Sequence, residues 1–224
     1  MANLALFDLD MTLLNVDSDH SWGQFLVERG LVDSEFYQSM NDKFYQDYIK
    51  GVLDAVEYNE FVASFLKTKT MSQLCAYRDE YLSTWIKPAM RPKAIECISW
   101  HKAQGDTVLV ISATNDFVVV PIASLFGVDN AHTLATRLEV VDNAYTGGVA
   151  DLPNFKDGKI FHLKNWIKNA NSNGIYFDEL IAYSDSKNDL PLLNFANKAV
   201  CVNPDEVLKT HAIEQGWDVV DWRI

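Results

Sequence analysis

Apolar positions along the 224-residue chain fall into two regimes of spacing. Residues 4–9 form a short apolar run that ends in acidic residues, which predicts a buried strand. Over residues 18–88 apolar side chains recur instead every three or four positions, the spacing that lays one stripe along a helix. Four helices are predicted there. The first is capped by Ser18 or Asp19, carries Trp22, Phe25 and Leu26, and stops at Gly30. The second is capped by Ser34 and runs through Phe36, Met40, Phe44 and Tyr48 to Gly51. The third covers residues 55–66 with Tyr58, Phe61, Val62 and Phe65 on one face, and the fourth opens at Ser72 and runs to Trp85. No strand interrupts them, so a small helical bundle inserted early in the chain is predicted.

From Arg91 onward the pattern alternates. Helical spacing at 92–104, 117–126, 159–169, 190–195 and 206–215 is interleaved with strand-like runs at 107–111, 180–183, 199–202 and 217–220. Residues 137–145, followed by Gly147-Gly148, predict a hairpin or a pair of short strands. Strands alternating with helices predict an α/β fold with a mostly parallel sheet. Such sheets bind ligands beyond the carboxyl ends of their strands, so the residues just past each strand are the candidates for function.

Composition narrows the function class without naming one. A hydrophobic fraction of 48% and a charged fraction of 22% suit a globular protein with a sizeable core. No apolar run approaches the ~20 residues of a membrane-spanning helix. Met1 leads almost directly into the first apolar run, so no secretory signal is expected. Cys75, Cys97 and Cys201 are odd in number and form no CxxC pair, which suits neither a disulfide framework nor a zinc site. A cytoplasmic protein is expected. The formal net charge of −12 opposes nucleic acid and anionic membranes as partners. A small phosphorylated molecule stays open, because a bound metal can invert the field at a site.

The strand ends carry the chemistry. Asp8 and Asp10 follow the first strand, and residues two apart in an extended segment project to one side. Two carboxylates aimed at one point favour a hard divalent cation, and magnesium commonly joins carboxylates to substrate phosphates. By itself the pair fits a solvated acidic turn equally well. Ser112 follows the strand at 107–111 and could donate to a phosphoryl oxygen, or simply cap a turn. Asp185, Asn188 and Asp189 follow the strand at 180–183, where they could complete a metal site or serve as loop and helix-cap residues. Lys159 opens a helix, where the helix dipole disfavours a cation unless it holds an anion. Lys156 is the alternative should the two positions be exchanged.

In order and wording these clusters resemble the haloacid dehalogenase (HAD) superfamily of phosphohydrolases over essentially the whole chain. The first motif of that family, DxDx[TV], matches Asp8, Asp10 and Thr12; the second matches Ser112, the third Lys159, and the fourth Asp185 and Asp189. Met11 and the Tyr183-Ser184 pair depart from the family's more frequent residues. The resemblance implies a three-layer Rossmann-like core over 1–16 and 89–224, with a helical C1 cap over 17–88. A helical cap is similar to the phosphoserine-phosphatase-like branch, subfamily IB. The segments FDLDMTLLNVDSDHSW and YSDSKNDLPLL look like a subgroup that includes histidinol-phosphate phosphatases.

The same resemblance implies a Mg²⁺-dependent phosphomonoesterase acting on a small phosphorylated metabolite. Asp8 would be the nucleophile and Asp10 the acid and base. Asp8, Asp185 and the Asp10 carbonyl would bind the metal. Thr12, Ser112, Lys159 and Asn188 would hold the phosphoryl oxygens, with Asp189 orienting Lys159 or a metal-bound water. Asp17, Asp19 and Trp22, with His20, would line the substrate entrance, where the two acids could meet an ammonium or imidazolium; Asp17 and Asp19 also suit simple helix capping. Histidinol phosphate and phosphoserine are the candidate substrates. Phosphoryl transfer to an alcohol, or a non-catalytic binding module on the same scaffold, are the competing readings.

Overall fold

The computed structural model describes residues 2–223. At its centre lies β1 (Leu4–Phe7), with every residue buried. Six parallel strands form the sheet in the order β3-β2-β1-β6-β7-β8, with β2 at Thr107–Asn115, β3 at Thr133–Thr136, β6 at Leu180–Ser184, β7 at Lys198–Val202 and β8 at Asp218–Val220. A separate antiparallel pair, β4 (Leu138–Val141) and β5 (Ala144–Val149), forms the predicted hairpin.

Alternation along β1 builds two cores. Ala5 and Phe7 face a cluster with Val108, Val110, Ile181 and Tyr183, whereas Leu4 and Leu6 face the opposite side with Leu109, Ile111 and Ala182. The first side is covered by α5 (Pro92–Ala103) and α6 (Asp116–Leu125). The second is covered by α7 (Asp157–Ser172), α8 (Leu190–Phe195) and α9 (Glu206–Gln215), which completes three layers. Both faces are apolar because each packs on helices, so the strands read as unbroken hydrophobic runs.

Four α-helices lie between β1 and α5 among the described residues: α1 (Ser18–Glu28), α2 (Ser34–Lys50), α3 (Ala55–Leu66) and α4 (Met71–Tyr81). The chain leaves and re-enters the sheet layer side by side. Asn15 N donates to Ala89 O at 2.9 Å, and Arg91 N donates to Leu13 O at 3.0 Å. Among the described residues no helix is long and apolar enough to cross a membrane.

Several expected boundaries shift by one to four residues, for identifiable reasons. Asp17, not Ser18 or Asp19, caps α1, accepting from the amides of Asp19 and His20. Asp33 caps α2, and Thr70 caps α4 through a reciprocal pair with Gln73. The strand at 107–111 continues as β2 to Asn115, and α7 starts at Asp157 rather than Lys159. Strand β3 was not expected: four residues of mixed burial carry no strong alternation.

Candidate active site

Matching register brings the key strand ends together. Phe7 pairs with Val110 on one side and Tyr183 on the other, so Asp8, Ser112 and Asp185 emerge at one edge. Past Asp8 the chain makes one wide turn over Leu9–Leu13, with Asp10 still extended and Met11 at φ 56°. Arg91, 5% exposed, braces this turn by donating from Nε to Leu14 O and from Nη2 to Met11 O.

Lys159 is the hinge of the floor. Its ammonium donates to Asp8 Oδ1 at 2.7 Å and to Asp189 Oδ2 at 2.8 Å, and all three side chains are buried. Ser184 Oγ adds a 2.8 Å bond to Asp189. Asp189, suited by sequence to a helix cap, therefore turns its carboxylate to the lysine, and no side-chain cap bond forms at α8. Burial alone would lower the lysine, but Asp189 and Asp8 hold it above its ordinary value. Burial, reinforced by the charges of Asp189 and Asp10 and opposed by Lys159, pushes Asp8 up to about 8. Asp185 is also raised well above the usual carboxylate range, by burial and then by Asp8 and Asp189. One lysine thus faces an excess of carboxylate.

A tight loop delivers Lys159. Phe155 N bonds Pro153 O, Gly158 N bonds Phe155 O, and Lys156 takes φ 49°, unusual for a residue with a Cβ. Gly158 is required by close approach, since a Cβ there would lie 2.1 Å from Pro153 O. Lys156 is spatially separate from Lys159: its ammonium donates to Gly51 O at the end of α2. Lys159 is therefore the lysine in contact with Asp8.

Asp10 is held at both oxygens. Ser18 N at the start of α1 donates to Oδ1 at 2.7 Å, while Thr114 Oγ1 and Ser112 Oγ donate to Oδ2 at 2.9 and 3.2 Å. Thr12 Oγ1 donates to Asp185 Oδ1 at 3.1 Å. Asn188 donates from Nδ2 to Tyr48 O at 3.2 Å, tying the loop after β6 to α2. Thr12, Ser112 and Asn188 are thus within the same constellation, each with a protein partner.

Above the floor lies a narrow chamber of about 40 Å³, open to solvent, between the strand ends and α1–α3. Asp8, Asp10, Lys159, Asn188 and Asp189 line its floor, and Asp17, Asp19, His20, Tyr45, Tyr58 and Asn59 its upper walls. Burial, then the charge of Asp10, pushes Asp17 up to about 7, and Asp19 is raised well above the ordinary range by burial and then by Asp17 and Asp10. Trp22 is elsewhere. It is fully buried among Phe25, Phe65, Tyr81 and Phe117 and does not line the chamber, because an indole on the apolar stripe of α1 packs inward.

Sequence reading overlooked Thr114, Arg91, Tyr45 and Asn59. Thr114 was legible: two positions beyond Ser112 in an extended strand, it shares that side of β2. Asn59 was legible as a polar residue breaking the apolar face of α3, three and four positions before Val62 and Ala63. Arg91 and Tyr45 carry no local signal.

Residues 5–194 match the haloacid dehalogenase-like hydrolase family. A histidinol-phosphatase of Neisseria meningitidis serogroup C (strain 8013) is 40% identical over 224 residues, covering 100% of both chains. A solved protein of unknown function from Bordetella pertussis Tohama I superimposes with a TM-score of 0.91 at 35% identity, again over 100% of both chains. A phosphoserine phosphatase solved as a phospho-aspartyl intermediate analogue shares the fold, with a TM-score of 0.68 at 23% identity over 99% of this chain and 94% of that one.

Proposed function

We propose, from the premise that the chain belongs to the haloacid dehalogenase-like hydrolase family and is a phosphatase, that it hydrolyses the phosphomonoester of a small amino alcohol through an aspartyl-phosphate on Asp8. Histidinol phosphate and phosphoserine are the substrates considered. The observation that carries this reading is the buried Lys159 bridge between Asp8 and Asp189 on the floor of an open chamber. A carboxylate beside a fixed positive charge, where a phosphoryl group can enter, supports Asp8 as the nucleophile.

The donor set fits Mg²⁺. Asp8, buried, and Asp185, half-buried, are carboxyl groups that repel each other when charged, and the charges acting on Asp185 are those of Asp8 and Asp189. Among the described residues no three His, Cys, Asp or Glu side chains form a closed metal cage. An open two-carboxylate site suits an ion that keeps waters and substrate phosphate in its shell. Asp8, Asp185 and the Asp10 carbonyl would hold it, and its charge would let a carboxylate approach a phosphate dianion.

The residues then divide the work. A carboxylate oxygen of Asp8 forms the bond to phosphorus as the bond to the substrate alcohol breaks, and Asp10 gives that alcohol its proton. Water next attacks phosphorus while Asp10 takes one of the water's protons; the bond to Asp8 breaks, releasing phosphate and restoring both groups. Lys159, with Thr12, Ser112 and Asn188 turning from their present partners, would bind the phosphoryl oxygens as their charge spreads. Asp189 holds Lys159 in place. Residues 17–88 act as a cap, with Asp17, Asp19 and His20 on the wall above the phosphate. Trp22 supports α1 from the core. The three free thiols support a cytoplasmic setting.

The test is phosphate release with Mg²⁺, after chelation, and after readdition, alongside mass spectrometry of acid-quenched enzyme. Turnover should stop and return with the metal, and phosphate should appear on the Asp8 peptide. Turnover indifferent to chelation, or phosphate on another residue, would overturn the reading.

A further inference from the structure

Two residues lining the upper chamber each carry a buried acceptor without a hydrogen bond. Asp19 is 4% exposed and Asn59 1%, yet Asp19 Oδ2 and Asn59 Oδ1 meet no hydrogen-bond donor. Both residues line the chamber, from α1 and α3. Asn59 is fixed in orientation because its Nδ2 donates to Ala55 O at 2.7 Å, leaving an acceptor as its free group. Asp19 Oδ1 takes Asn115 Nδ2 at 3.1 Å; the Tyr58 hydroxyl eases the charge but gives Oδ2 no bond of hydrogen-bond geometry. Buried polar atoms are nearly always paired, so two orphans of one kind on one cavity's walls point to a donor supplied from outside the chain.

The charge around the chamber points the same way. Its basic residues are Lys159 and His20. Lys159 is already bonded to Asp8 and Asp189. His20 is held toward its neutral form: burial lowers it against the pull of Asp42, and the Asn41 amide lies 3.1 Å from its Nδ1. Asp17 and Asp19 stand on the wall beyond them, and the rings of Phe44, Tyr45 and Tyr58 complete it. A carboxylate carried above the phosphate would face these acids with no uncommitted cation. A cation there would face acceptors and ring faces.

We propose that this wall is a charge filter, resting on the phosphatase reading above. It takes phosphomonoesters whose alcohol portion bears a positively charged N–H donor, received by Asp19 and Asn59, and it rejects those bearing a carboxylate. Of the two substrates considered, the filter favours histidinol phosphate and disfavours phosphoserine.

Steady-state kinetics of the Mg²⁺-loaded enzyme on histidinol phosphate, phosphoserine and 4-nitrophenyl phosphate test this. Histidinol phosphate should exceed phosphoserine by about 100-fold or more in kcat/KM, a gap within reach of buried polar recognition. Asp19→Asn should cut the ratio of histidinol phosphate to 4-nitrophenyl phosphate by about 30-fold, mainly through KM, and Asn59→Leu by about 15-fold, the range for hydrogen bonds to charged groups. Equal or better use of phosphoserine by the native enzyme, which needs no variant to fold, would overturn the filter. So would an equal loss on all three esters in both variants. No phosphate released from any ester would instead sink the phosphatase reading itself.

Discussion

The floor and the wall of the chamber are both acidic, but they solve the problem differently. On the floor, Asp8 and Asp189 share one buried lysine, and Ser184 and the tight loop at 153–158 hold that lysine in place. On the wall, Asp17 and Asp19 share none, and one oxygen of Asp19 lacks a partner. Breaking a buried ion pair costs far more than a net pair contributes, so the floor is a rigid unit that exists before any ligand arrives. The wall is held only by a helix cap and an amide, and its charge is left for something else to meet. A site whose chemistry is fixed and whose selectivity is open to substitution is the outcome.

The sharpest way to break this contrast is to disarm Asp8, the group proposed to react. Asp8→Asn should lower phosphate release by about 10⁴-fold or more, as loss of a covalent nucleophile does. Its unfolding temperature should hold or rise, because Lys159 keeps Asp189 as its partner while a carboxyl that burial disfavours has gone. Lys159→Met would make the floor resemble the wall. It should cost about 3–5 kcal/mol in denaturant unfolding, since two buried carboxylates lose their cation, and turnover should fall with it.

Gly158→Ala probes how the lysine is delivered. A Cβ 2.1 Å from Pro153 O forces the loop to move, so stability should fall by about 1–3 kcal/mol and kcat should drop with Lys159 displaced. Thr114→Val tests the hold on Asp10. We expect about a 10-fold loss in kcat with little change in KM and a shifted pH profile, the mark of a mispositioned acid; Thr114→Ser should restore most of it.

The smallest effect concerns the wall. Asp17 sits near 7 in the fold against an ordinary 3.8. A raised folded value means its contribution to stability is full below about pH 4 and is lost as pH rises through about 7. Asp17→Asn keeps a competent helix cap. Its thermal stability relative to the native chain should therefore climb between pH 4 and 7 and level off above, read from melting curves across that range.

Much of this was legible in one dimension. The period of apolar residues separated four early helices from the alternating remainder, and the polar residues after each strand marked the site. Boundaries slipped where a cap lay one position earlier, as at Asp17, because several neighbouring residues could cap equally well. β3 escaped because its burial is mixed.

The order of residues alone sets which faces are apolar and which strand ends carry carboxylates, hydroxyls and a lysine. Both come from local geometry: side chains repeat every two residues in a strand and every 3.6 in a helix. Only the tertiary structure decided who meets whom. Lys159 and Asp8 are 151 positions apart, and Ser112 and Asp10 are 102. The sheet order and register bring them together, so that Lys159 grips two acids, Ser112 and Thr114 grip Asp10, and Trp22 goes to the core. Asp19 Oδ2 and Asn59 Oδ1 were left without a hydrogen bond, because no side chain around them meets either oxygen with bonding geometry.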